Sequence, residues 1–149
     1  MTVYESEKYL RRIRRLDVEI DNRWEDLQRL DAMRTKVTTV FSMAPVAGSG
    51  NDSKIEDMTI KIIGLTKELN QKVDEFVNLR LEAAALIERL NNVQHIELLR
   101  GLFFEYKSID DMAKETKKST KTIRNRRKDA LKEVDALMED RKEAGVENA

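Results

Sequence analysis

The sequence predicts an all-α protein: a long antiparallel helical hairpin of coiled-coil type, followed by a three-helix helix-turn-helix module. Three observations carry that prediction. Apolar residues recur at steps of three and four along two long segments. One proline and five glycines in 149 residues leave few breaks in those segments. Charged residues reach 38% against 5% aromatics, the profile of long solvated helices rather than of a large compact core. The expected division is a hairpin over residues 1–91 with a flexible loop at 39–52, the module over 92–141, and a frayed tail over 142–149.

The first helix is expected from about Glu5 to Thr38. Thr2 and Glu5 have the spacing of a capping box at its start. Ile13, Leu16, Ile20, Trp24, Leu27, Leu30, Met33 and Val37 form its apolar stripe, in which Trp24 reads as a core or interface anchor. The pairs Arg11-Arg12 and Arg14-Arg15 fall mostly off that stripe. Thr39 to Asp52 contains Pro45 and the run Gly48-Ser49-Gly50-Asn51, which favour a loop.

A second capping box, Ser53 with Glu56, is expected to open the next helix. Its stripe is Ile55, Met58, Ile62, Leu65, Leu69, Val73, Phe76, Leu79, Ala83, Leu86 and Leu90, a repeat of about 3.5 residues. Gly64 weakens the interior by up to ~1 kcal/mol relative to alanine, and Asn91-Asn92 is the expected end. The economical burial for both stripes is against each other as an antiparallel hairpin. The same pattern serves a homodimer that pairs hairpins or exchanges helices, and the sequence leaves both arrangements open.

Three shorter helices follow. The first spans about Val93 to Tyr106 on the face Ile96, Leu99, Leu102 and Phe103. The second starts at Ser108, with Asp111 at the capping-box position, and carries Ile109, Met112 and Ala113. The third takes Ser119 as N-cap and runs through Met138, with Ile123, Ala130, Leu131, Val134, Leu137 and Met138 inward.

Several function classes are disfavoured by inventory. No apolar run approaches the ~20 residues of a membrane span. The opening Met1-Thr2-Val3-Tyr4-Glu5 lacks the form of a secretory leader, so a cytoplasmic location is expected. There is no cysteine and a single histidine, His95, so neither a thiolate nor a histidine metal site is expected. Without a nucleophile–base pair, a metal-ligand spacing or a phosphate-cradling glycine loop, an enzyme is not expected, nor a cofactor. Asp110-Asp111 reads as negative charge matched to a helix N-terminus.

The formal net charge is zero, yet Lys117 to Lys132 holds eight basic residues and one acid, a local +7. Acidic residues are interspersed along the rest of the chain, so this block calls for a polyanionic partner. Two helices joined by a short turn, here Lys117-Lys118, are the helix-turn-helix grammar. Ala113 suits a close helix crossing, and Ile123 packs back from the second helix. Ser119, Thr120, Lys121, Thr122, Arg124 and Asn125 at the start of that helix are the candidates for base edges or flanking phosphates, because arginine grips guanine and asparagine grips adenine in paired hydrogen bonds. Lys117, Lys118, Arg126, Arg127 and Lys128 are the candidates for phosphate contact, which positions a protein on double-stranded DNA without reading sequence.

The pieces Leu98-Leu99-Arg100-Gly101-Leu102-Phe103, Ser108-Ile109-Asp110-Asp111-Met112-Ala113, Ser119-x-x-Thr122-Ile123-Arg124 and Ala130-Leu131-x-x-Val134 resemble the promoter-binding region 4 of bacterial sigma factors. With Tyr9-Leu10-Arg11-Arg12-Ile13 ahead of the Gly/Ser-rich loop, the whole chain resembles small phage and prophage proteins of Gram-positive bacteria. The resemblance implies a phage transcription regulator acting in the bacterial cytoplasm, with RNA polymerase as a further partner docked on the hairpin. The chain departs from that pattern at the turn, where Thr116-Lys117-Lys118 replaces Leu-Gly plus an apolar residue, and at Arg126, where an apolar residue is expected. A left-handed turn residue other than glycine costs roughly 1–2 kcal/mol. The competing reading is a coiled-coil adaptor or inhibitor whose basic helix binds an acidic protein, favoured by the regular stripe from Ile55 to Leu90.

Overall fold

The structure is a computed structural model that describes residues 4–43 and 49–147. It is all-α: α1 (Glu5–Met43), α2 (Ser49–Glu88), α3 (Val93–Leu99), a π-helical turn (Arg100–Phe104), α4 (Ile109–Thr116) and α5 (Thr120–Glu147), with no strand among the described residues. Thr2 and its capping box lie outside the described residues.

The loop expected at 39–52 is corrected at both ends. α1 continues to Met43 and α2 begins at Ser49, so Ser53 is a helical residue and not a cap. Extending an established helix fixes one residue for each hydrogen bond gained, and this outweighs the weak propensities of Thr39, Gly50 and Asn51. Residues 44–48, with Pro45, lie outside the described residues. At the other end of the chain α5 runs to Glu147, through most of the tail expected to fray.

Packing divides the chain differently from the boundary expected at residue 91. One unit combines the residues up to Arg15 with those from Phe76 onward, and the other comprises Leu16–Glu75. In the first, Leu10 and Ile13 of α1, Leu79, Ala83, Leu86, Ile87 and Leu90 at the end of α2, and Leu99, Leu131 and Val134 are buried. Each such leucine, isoleucine or valine contributes roughly 1.5–3 kcal/mol on leaving water. Ser6 fixes the start of α1: its N–H donates to Asp135 Oδ1 at 2.7 Å, and its hydroxyl donates to the Leu131 carbonyl at 2.9 Å. An N–H that has no partner within its own helix is thereby satisfied from α5. Arg80 and Arg100 flank the Phe104 ring at 5.3 and 5.7 Å from its centroid.

The helix expected over Val93–Tyr106 is α-helical only to Leu99, because the π turn follows. Its extra residue per turn brings Gly101, Phe103 and Phe104 inward together. Gly101 lets Met112 pack close, since a Cβ there would stand 2.6 Å from Met112 Sδ and the end of that side chain would have to shift. Leu98, Met112, Ala113 and Ile123 close a small core, with Leu102 and Ile109 packed against it.

In the second unit α1 and α2 run antiparallel. Glu19 pairs with Lys72 at 3.0 Å and Arg23 with Glu68 at 2.9 Å, so four residues forward on α1 are four residues back on α2. Leu16 and Leu69 are buried, and Ile20, Leu27, Leu30, Ile62 and Leu65 are half-buried. Trp24, Met33 and Val73 belong to the expected stripes but are exposed, Trp24 at 53%. Two helices share a single line of contact, so apolar positions beside that line stay in solvent.

Candidate nucleic-acid interface

The site is built on α4, the turn Lys117–Ser119 and the first turns of α5. α4 opens on a complete capping box: the Ser108 hydroxyl accepts from the Asp111 N–H, and the Asp111 carboxylate accepts from the Ser108 N–H, each at 3.0 Å. The Ser108 N–H first, and the Ser108 hydroxyl after it, hold the Asp111 carboxyl below its ordinary range. α4 ends on a Schellman motif. The Lys118 N–H reaches the Ala113 carbonyl at 3.0 Å and the Lys117 N–H reaches that of Lys114 at 3.4 Å, with Lys117 left-handed at φ 55° and ψ 42°. The turn therefore has the geometry a glycine would favour, made by a lysine. Ser119 then caps α5, accepting from the Thr122 N–H at 3.1 Å, and its hydroxyl lies 2.9 Å from that of Thr122.

Ile123, Ala130, Leu131 and Val134 turn one face of α5 into the core, which fixes what the other face presents. Lys121, Arg124, Asn125 and Lys128 are exposed at helical spacing on that outer face, Lys117, Lys118 and Ser119 are exposed in the turn beside it, and Thr120 and Thr122 are half-buried. Lys132, part of the basic block but not among the candidate contacts, extends the face by one further turn, four residues after Lys128. Among the described residues the side chains of Lys117, Lys118, Lys121, Arg124 and Lys128 form no ion pair. Arg11, Arg23, Arg29, Lys72, Lys107 and Arg141 each do.

Arg127 stands apart from the other candidates. Its guanidinium donates to Glu7 Oε1 at 2.6 Å and lies 6.0 Å from the Phe103 ring centroid, and its side chain is only 21% exposed. This arginine is used in holding α5 to α1 rather than offered to solvent. Arg126 is half-buried and lines a cleft of about 500 Å³ with Leu98, Met112, Thr116, Lys118 and Ile123. That cleft takes the place of the apolar contact expected at position 126. On its rim Lys107 bridges Glu105 and Glu115, at 2.7 and 2.9 Å, and these carboxylates raise its pKa.

His95, the single histidine, is buried with Nδ1 2.9 Å from Glu133 Oε1. Among the described residues no group of three or more His, Cys, Asp or Glu side chains could hold a metal ion, and no helix is long and apolar enough to cross a membrane.

The arrangement is a three-helix module in which a basic, capped helix follows a short helix across a tight turn. The chain belongs to the family described as Protein of unknown function (DUF1492), whose family model matches residues 36–135. No curated protein matches the chain, and no solved structure does.

Proposed function

We propose that the protein is a DNA-binding transcription regulator that uses α4 and α5 as a helix-turn-helix of the sigma region 4 type, in the manner of the phage proteins its sequence resembles. The observation that carries this reading is the basic outer face of α5. Lys121, Arg124 and Lys128 stand exposed without ion-pair partners, clustered with Lys117 and Lys118 in a segment whose one acid is Asp129. Lysine and arginine so placed displace counterions from a duplex. Arg124 and Asn125, in the first turns of α5, meet base edges in this reading. In this reading the protein acts without a cofactor and without catalysis, in the bacterial cytoplasm, with RNA polymerase as a second partner.

The test is a fluorescence-anisotropy titration of the full chain with duplex fragments from its own locus at two salt concentrations. Tight, steeply salt-dependent binding to one fragment supports a sequence-reading regulator. Absence of binding at low salt rejects it, and the basic face is then assigned to an acidic protein. The exposed Trp24 and Ile63 favour that second reading, since they give the hairpin apolar surface for a protein contact.

A further inference from the structure

The Leu16–Glu75 unit is short of burial. Among its described residues only Leu16 and Leu69 are buried, whereas Val18, Trp24, Met33, Ile60, Ile63 and Val73 are exposed. A lone pair of helices leaves such side chains in water, and helices of this kind draw most of their stability from tertiary packing. One side of the pair is a groove of about 690 Å³ lined by Asp26, Arg29, Leu30, Lys61, Leu65 and Glu68, with Gly64 in its wall. Nothing lies within 4 Å of where a Gly64 Cβ would be, so a notch stands open there. Met33 and Ile60, 51% and 61% exposed, follow the groove residues by one turn on α1 and precede Gly64 by one turn on α2.

The charges around this groove are ordered along it. Because the helices are antiparallel, Asp26 of α1 and Glu68 of α2 fall at one end, and Arg29 and Lys61 fall toward the other. Arg23 ties the two carboxylates together, at 3.6 Å to Asp26 and 2.9 Å to Glu68, which leaves that end with one net negative charge. Arg29 reaches back to Glu25 at 3.8 Å and Asp26 at 3.9 Å, while Lys61 forms no ion pair among the described residues. A groove acidic at one end and basic at the other, with Leu65 beside the acidic end and Leu30 beside the basic one, is complementary to itself when turned end for end.

We infer that this groove is a homodimer interface, in which a second copy of the chain packs antiparallel across Gly64 so that the basic end of each copy meets the acidic end of the other. A two-fold axis makes one surface serve both partners, and like charges would meet if the copies packed in parallel. The inference does not depend on whether α5 binds DNA.

The test uses the full chain without DNA. Sedimentation equilibrium is expected to give a dimer. Lys61→Glu, at an exposed position with no partner to lose, is expected to raise the dimer dissociation constant about tenfold, because it sets an acid against the partner copy's acidic end. The chain has no cysteine, so single-cysteine variants are unambiguous. Gly64→Cys, which adds a side chain in open space, is expected to cross-link between copies with a short bismaleimide. Gln28→Cys, exposed on the other side of α1 one turn from Trp24, is not. A monomer at all concentrations overturns the inference. So does a dimer that cross-links from Gln28→Cys but not from Gly64→Cys, which would place the seam on the Trp24 side.

Discussion

Arg127 and Glu7 meet at 2.6 Å, joining the basic segment of α5 to the first turns of α1. Both side chains are largely sheltered, and Glu7 also receives Arg11 at 2.6 Å. The pair gives the eight cations of the Lys117–Lys132 block two separable roles. Arg127→Ala is expected to destabilise the protein by about 1–3 kcal/mol, because a sheltered carboxylate loses one of its charged donors. It is expected to leave the salt slope of DNA binding unchanged. Arg124→Ala is expected to do the reverse, preserving the urea midpoint and reducing the slope by about one unit for the lost phosphate contact. If Arg127→Ala alone lowered the slope, Arg127 would belong to the DNA face after all.

How much of this was legible in the sequence depends on what each signal encodes. The Ser108–Asp111 capping box and the Ser119 cap are local, and both stand where the spacing puts them. The inward residues Ile123, Ala130, Leu131 and Val134 follow from helical periodicity alone. The role of Arg127 was hidden because its partner lies 120 residues away, and periodicity carries no information on such contacts. Trp24 and Met33 matched an apolar stripe yet stayed exposed, because a stripe records what a helix can bury and not how much surface its neighbour supplies. The π turn had no sequence signal beyond Gly101, whose close contact with Met112 becomes visible only in the packed structure.

The left-handed Lys117 separates stability from function at one position. Lys117→Gly relieves roughly 1–2 kcal/mol of left-handed strain. Against this, glycine loses roughly 0.5–1 kcal/mol more conformational freedom on folding. The expected net gain is about 0–1.5 kcal/mol, read as a higher urea midpoint. The same change removes an exposed cation beside α5, so DNA affinity is expected to fall while stability rises. A lower midpoint would show that the lysine side chain makes a stabilising contact of its own.

The buried His95–Glu133 contact ties α3 to α5 beneath the same module. Glu133→Ala would leave the imidazole Nδ1 buried without its partner, at a cost of about 1–3 kcal/mol. Glu133→Gln keeps an oxygen and an N–H within reach of the ring and is expected to recover most of that loss in thermal unfolding. Equal losses in the two variants would assign the contact to charge attraction rather than to hydrogen bonding.

Tyr9 sets an alkaline limit on stability. Burial, then the neighbouring Glu82 carboxylate, push its pKa from 10.0 to about 12, while Arg141 and Arg12 pull it back. A folded value above the unfolded one means that the unfolded chain releases its proton first. This contribution is therefore complete below the ordinary value of 10.0 and is lost as pH climbs from there toward about 12. The buried hydroxyl faces the Glu82 carboxylate without a well-formed hydrogen bond, so Tyr9→Phe is expected to change stability little at neutral pH. It is also expected to flatten the alkaline loss, measured as the urea midpoint on either side of the tyrosine range. An undiminished loss in that variant would show that Tyr9 is not its source.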